Sequence, residues 1–146
     1  MQSLFMERAV ELAKYAASLG EVPVGAVIVK DGKIIAEGYN RREQKNNALS
    51  HAEIEAINNA CNALGDWRLD GCTMYVTLEP CLMCAGAIAN ARIKEVVFGA
   101  YDLQMGCMDS VINFSALPIA PDTEVYGGIK EDECKRLITD FFRQKR

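Results

Sequence analysis

One histidine in 146 residues excludes more than any other feature of this composition. A zinc peptidase of the H-E-x-x-H kind needs a second histidine four residues after the first, where this chain has Glu55. Attachment of a c-type haem needs a histidine directly after the second cysteine of a C-x-x-C pair, and Ala85 stands there instead. No apolar run approaches the ~18 residues of a membrane-spanning helix; Val24 to Val29 is only a short strand-like stretch. Met1 to Arg8 lack the basic region and apolar segment of a secretory leader, so a cytoplasmic address is expected. Positive charge is also short: 16 Lys and Arg against 20 Asp and Glu leave a net charge of -4 and a pI of about 5.1. Bulk attraction to a polyanion is thereby excluded, and binding to nucleic acid would have to rest on a local patch.

Half the residues are apolar and 25% are charged, an ordinary balance for a folded chain whose length suits one domain spanning 1–146. The six cysteines are an even number, but in a reducing compartment a core of this size needs no disulfide framework. There are no internal repeats and no low-complexity tracts.

Phe5, Ala9, Leu12, Ala13, Ala16 and Leu19 recur at helical spacing, and Gly20 supplies a stop. Val24 to Val29 and Ile34 to Ala36 flank Asp31-Gly32, a pair that accepts the positive φ angles of a tight hairpin turn. Asn40 to Ser50 is polar and reads as a loop leading to a second helix, with Ser50 as its expected N-cap and Gly65-Asp66 beyond its end. Cys72 to Thr77 reads as a strand, Pro80 suits the start of a helix running from Cys81 to about Ala91, and Val96 to Phe98 makes the next strand. Tyr101 to Asp122 has no period and is expected as a long loop with one helical turn. A short strand at Glu124 to Tyr126 and a helix from about Lys130 to Phe142 complete the chain. Strands alternating with helices predict an α/β fold, a three-layer α/β/α sandwich whose central mixed five-stranded sheet begins with one antiparallel hairpin.

Two strings carry chemistry: His51-Ala52-Glu53 at the start of one predicted helix and Pro80-Cys81-Leu82-Met83-Cys84 at the start of the next. In such sheets ligands gather where strands end and helices begin, so both helix starts can face one pocket. Catalytic zinc takes three protein ligands and keeps its fourth tetrahedral position for water, and His51, Cys81 and Cys84 form a suitable set. Cys81 and Cys84 lie one helical turn apart, at a helix N-terminus that favours thiolate. Glu53 can point into the same cavity without ligating, and there do general acid and base work.

H-x-E followed by P-C-x-x-C is the signature of zinc deaminases. A thioredoxin-like redox pair, or a structural zinc site closed by Cys72 or Cys107, remains open on the residues alone, although neither accounts for Glu53 or for the proline before Cys81. A free-base or nucleoside deaminase and a non-catalytic zinc-binding RNA module are the competing functions.

The strings Gly20-Glu21-Val22-Pro23-Val24-Gly25-Ala26-Val27, Asn40-Arg41, His51-Ala52-Glu53, Tyr75-Val76-Thr77-Leu78-Glu79-Pro80-Cys81-Leu82-Met83-Cys84-Ala85-Gly86-Ala87, Val97-Phe98-Gly99-Ala100 and Asp140-Phe141-Phe142-Arg143 run through nearly the whole chain. With them the sequence resembles the bacterial tRNA-specific adenosine deaminases of the cytidine deaminase-like superfamily. That resemblance implies conversion of adenosine to inosine at the wobble position of an arginine tRNA, one zinc ion per subunit, and a homodimer with the anticodon stem-loop resting on both subunits. It also implies that Asn40 hydrogen-bonds the extruded base, that the Val22-Pro23-Val24 turn and Ala52 wall its pocket, and that Asp102 touches a neighbouring nucleotide. Phe142 would line the anticodon groove, with Arg143, Lys145 and Arg146 supplying positive charge. On the residues alone, Phe141 and Phe142 at a helix end would more often be core packing, the basic tail a solvated end, and Asn40 a turn former. Asn47-Ala48-Leu49-Ser50 and Tyr101 depart from the common family pattern, as does the stretch from Gln104 to Asp122.

Overall fold

The computed structural model describes residues 2–144; Lys145 and Arg146, to which the sequence assigned positive charge, lie outside the described residues. The amphipathic helix α1 (Gln2–Ser18) ends in a turn in which Gly20 takes φ 82°. The hairpin of β1 (Gly25–Lys30) and β2 (Lys33–Tyr39) follows. Its two turn residues both hold positive φ, Asp31 at 51° and Gly32 at 76°, as the dipeptide predicts.

The expected loop from Asn40 to Ser50 contains a one-turn helix, α2 (Arg42–Lys45). Next come α3 (Ala52–Leu64), β3 (Thr73–Leu78), α4 (Leu82–Asn90) and β4 (Glu95–Ala100). The chain closes with β5 (Glu124–Tyr126) and α5 (Glu131–Gln144). Between β4 and β5 a single 3-10 turn, Phe114–Ala116, interrupts the loop.

The strands form one sheet in the order β2-β1-β3-β4-β5. β1 is antiparallel to both β2 and β3, while β3 with β4 and β4 with β5 are parallel. The mixed five-stranded sandwich expected from the sequence is therefore observed. Alternation along the strands assigns the two faces. Ala26, Ile28, Met74, Val76, Val96 and Phe98 pack against Ala52, Ala56 and Ala60 of α3 and Ala85 and Ile88 of α4. Val27, Val29, Tyr75 and Val97 pack on the other face against Met6, Ala9, Val10 and Leu12 of α1 and Cys134 of α5. No described helix is long and apolar enough to cross a membrane.

Two glycines bring helix backbone into direct contact with the sheet. A Cβ at Gly25 would lie 2.1 Å from the Ala9 carbonyl oxygen, and one at Gly38 would lie 2.4 Å from the Ala52 oxygen and 2.5 Å from the Ala56 nitrogen. Because the obstruction at Gly38 is main chain, it cannot swing aside, and Ala52 directly follows His51. Gly38→Ala is expected to cost about 1–3 kcal/mol in urea denaturation and to lower bound zinc per chain; a variant as stable as the parent would show that α3 can retreat from β2 freely.

Candidate active site

α3 and α4 both begin at the carboxyl-terminal side of the sheet, and each begins on a residue singled out by the sequence. His51 occupies the N-cap of α3, with φ -71° and ψ 157°. This corrects the expectation of Ser50, which is buried and whose carbonyl accepts the Arg41 amide at 2.9 Å. Cys81 likewise is the N-cap of α4 rather than its first helical residue, with φ -75° and ψ 177°. Cap residues have extended backbone, so both side chains leave their helices at the end where amide groups point outward, and they meet.

The Nδ1 atom of His51 lies 3.6 Å from the Sγ atoms of both Cys81 and Cys84, and the three ligand atoms fall within 4.8 Å of one another. A tetrahedral zinc with bonds of about 2.05 Å to nitrogen and 2.3 Å to sulfur places those atoms about 3.6 Å apart, so the donor set and its spacing fit the ion. No other His, Cys, Asp or Glu ligand atom among the described residues joins the group. Cys72 directs its sulfur to the Asp70 carbonyl and Cys107 to that of Met105, so neither closes a structural site. All six cysteines are free thiols.

Glu53, the second residue of α3, is 4% exposed, and its carboxyl group reaches the Cys84 thiol. Burial pushes its pKa up to about 7, into the range that suits proton transfer near neutrality. The two thiols divide unequally. Cys81 is brought down to about 4, chiefly by a hydrogen bond from the Cys84 thiol and then by His51, while that same bond and burial push Cys84 upward. His51 is raised by its contact with Cys81. Cys81 is thus biased toward the thiolate form that a divalent cation requires.

His51, Glu53 and Cys81 border a cavity of about 130 Å³ lined also by Val22, Val24, Asn40, Arg42, Ala52, Leu78, Glu79 and Asp102, while Cys84 is fully buried. Most residues expected at the site are therefore brought together. Asn40 donates Nδ2 to the Val22 carbonyl at 3.2 Å and accepts the Arg42 amide on Oδ1 at 3.3 Å, which leaves one N–H and one lone pair of its amide for a ligand. Phe142 is 48% exposed and lines, with Phe141, an adjoining hollow that shares Val22, Asn40 and Arg42 with the first. Pro23 faces a separate cavity between α1 and α5, and Arg143 is exposed on α5 without lining either hollow. Val24 lines the cavity as expected, whereas Arg42, Leu78 and Glu79 were not expected at the site. Arg42 and Glu79 stand next to residues of the quoted strings or within them, but side-chain direction is not legible from spacing alone.

Comparison with known proteins bears directly on this geometry. The MafB19-like deaminase family model matches residues 2–146. The tRNA-specific adenosine deaminase of Bacillus subtilis is 46% identical over 144 residues, covering 98% of this chain and 89% of that protein. The chain belongs to the tRNA-specific adenosine deaminases. A structure from work on A-to-I editing by tRNA:A34 deaminases at the wobble position superposes on this family member with a TM-score of 0.87. It is 45% identical and covers 91% of this chain and 97% of its own. The guanine deaminase of Bacillus subtilis aligns with a TM-score of 0.66 and 49% identity over 67% of this chain and 63% of its own.

The carboxyl group of Glu53 generates a stability prediction for the metal-free deaminase. Its folded pKa of about 7 lies above the ordinary 4.5, so ionisation opposes folding. The penalty is absent below pH 4.5, where both states are protonated, grows as the pH rises toward 7, and is complete above it. In chelator-treated protein at pH 8, Glu53→Gln is expected to be more stable than the parent by up to about 3 kcal/mol, with no difference at pH 4. Equal stability at both pH values would mean that the carboxylate is solvated.

Proposed function

We propose that the chain hydrolyses the 6-amino group of an adenosine presented by a tRNA anticodon, leaving inosine at the wobble position and releasing ammonia. The main support is the meeting of one imidazole nitrogen and two sulfurs at the edge of a base-sized cavity that His51 and Cys81 line, with a buried carboxyl group beside them. Residues 1–146 would act as one zinc-dependent deaminase domain. His51, Cys81 and Cys84 would hold one zinc ion per subunit, which when bound supplies an ionised water at neutral pH. Glu53 takes one proton of the water and delivers it to the ring nitrogen next to the reacting carbon, then takes the remaining proton from the hydroxyl gained by that carbon and passes it to the departing amine. One water is consumed and one ammonia released.

Asn40 would hydrogen-bond the extruded base with its remaining N–H and lone pair, and Val22, Val24 and Ala52 would clasp the ring. Stacking on Phe142 suits a neighbouring unpaired nucleotide, and Arg42, with no side-chain ion pair among the described residues, is a cation at the mouth of both hollows. Asp102 would touch a flanking nucleotide. Pro23 would support the Val22 turn from behind, and Arg143 would approach the anticodon stem. An arginine tRNA is the proposed substrate, the cytoplasm with its reduced thiols the proposed setting, and a homodimer the proposed assembly. Exposed Leu49 and Leu82, beside the ligands His51 and Cys81, and exposed Leu103 and Met105 of the loop that carries Asp102 offer apolar surface to a second subunit.

Purified protein given arginine tRNA transcript, free adenosine, cytidine and guanine should release ammonia from the tRNA alone; release from a free base alone would overturn the tRNA reading. Glu53→Ala is expected to retain zinc and lose turnover by at least ~100-fold, measured by inosine formation alongside metal content. Phe142→Ala should weaken use of tRNA by ~1–3 kcal/mol with an unaltered melting temperature. A lower melting temperature with unchanged tRNA use would assign Phe142 to packing instead.

A further inference from the structure

Glu79 joins the end of β3 to Pro80 and Cys81. It is 2% exposed, and no lysine or arginine pairs with it among the described residues. A buried carboxylate without a cation must be met by hydrogen bonds, and one loop provides all of them. Oε2 accepts the backbone amides of Met108, Asp109 and Ser110 at 3.1, 2.8 and 2.9 Å. Oε1 accepts the amide of Asp102 at 3.0 Å and the Ser110 hydroxyl at 2.5 Å. A Cβ at Gly106 would lie 2.3 Å from the Glu79 carboxyl carbon, so the loop can wrap the carboxylate only because position 106 carries no side chain. The Cys107 amide, donating to the Pro80 carbonyl at 2.8 Å, ties the same loop to the turn that carries Cys81.

We propose that Glu79 is a positioning residue for substrate: its carboxylate serves as an internal anion around which residues 102–110 fold, and it thereby fixes Asp102 in the wall of the cavity that His51 and Cys81 also line. Although Glu79 borders the cavity, both of its carboxylate oxygens are engaged by the loop, so in this role it governs substrate binding and leaves the proton transfers of Glu53 alone. The assignment rests on the cavity being the substrate site proposed above.

The two oxygens are unequal, and this makes the role testable. A glutamine at position 79 can turn its carbonyl to the three amides of Met108, Asp109 and Ser110. Its NH2 group then faces the Ser110 hydroxyl, which can rotate to accept, and the Asp102 amide, which cannot. Glu79→Gln therefore releases Asp102 selectively.

In the zinc-loaded protein, Glu79→Gln is expected to raise KM for the arginine tRNA anticodon stem-loop at least ~10-fold, the loss of a hydrogen bond to a charged group. Turnover should stay within about threefold and zinc per chain should not change. Amide hydrogen exchange without substrate should show Asp102 losing protection while Met108 to Ser110 keep theirs. Gly106→Ala approaches the same contact from the loop and should raise KM similarly. The double variant should be no worse than the more affected single one, as expected for two changes that break one contact.

An unaltered KM in either variant, or a fall in turnover and zinc with KM unchanged, overturns the proposal. If Glu79→Gln does not fold, Gly106→Ala decides by the same criteria. Should the parent protein deaminate only a free base, the tRNA reading fails, and KM for that base together with the exchange comparison still decides the role of Glu79.

Discussion

Everything at the site depends on two helices starting at the same place. His51 and Cys81 each stand where a helix ordinarily takes a serine, threonine or aspartate, and each gives its side chain outward instead of folding it back over the first turn. The unpaired amides of both first turns then face a common volume, and that volume favours anions: thiolates, a carboxylate or ionised water. A divalent ion placed among such groups meets at least one ligand, Cys81, already biased toward its thiolate. β2 and β3 run in the same direction, each antiparallel to β1 between them, and this, together with the packing of α3 and α4 on one face of the sheet, aims the two helix starts at each other.

The same arrangement explains the tuning of the side chains. The core that surrounds Glu53 raises its pKa, while a bond to a neighbouring sulfur lowers that of Cys81. Two acids a few ångströms apart are thus driven in opposite directions by desolvation and by hydrogen bonding. Divergence of this kind separates the group suited to hold a cation from the group suited to carry a proton.

Much of this was legible in the residues. Asp31-Gly32 announced its hairpin, Gly20 and Gly65 their helix ends, and His51, Glu53, Cys81 and Cys84 their chemistry, because each signal is local and rests on a single residue's conformational or ligating preference. Ser50 misled because capping statistics describe ordinary helix starts, and this start is occupied by a ligand. The segment from Tyr101 to Asp122 looked featureless because what orders it is remote. Its amides answer to a carboxylate more than 20 positions earlier in the chain, and Met108 and Phe114 are buried without any periodic pattern to reveal it. The exposure of Phe142 was equally hidden, since an aromatic pair at a helix end reads the same in a core and on a surface.

The glycine contacts beneath α1 and α3 bear on how such a protein can vary. At Gly25 and Gly38 the distance from helix to sheet is set by peptide groups meeting peptide groups, so it does not depend on the bulk of any side chain. Apolar residues elsewhere on those helices can be exchanged over generations, and the layer spacing stays put. The imidazole at the head of α3 is thereby mechanically insulated from sequence drift in the core that supports it.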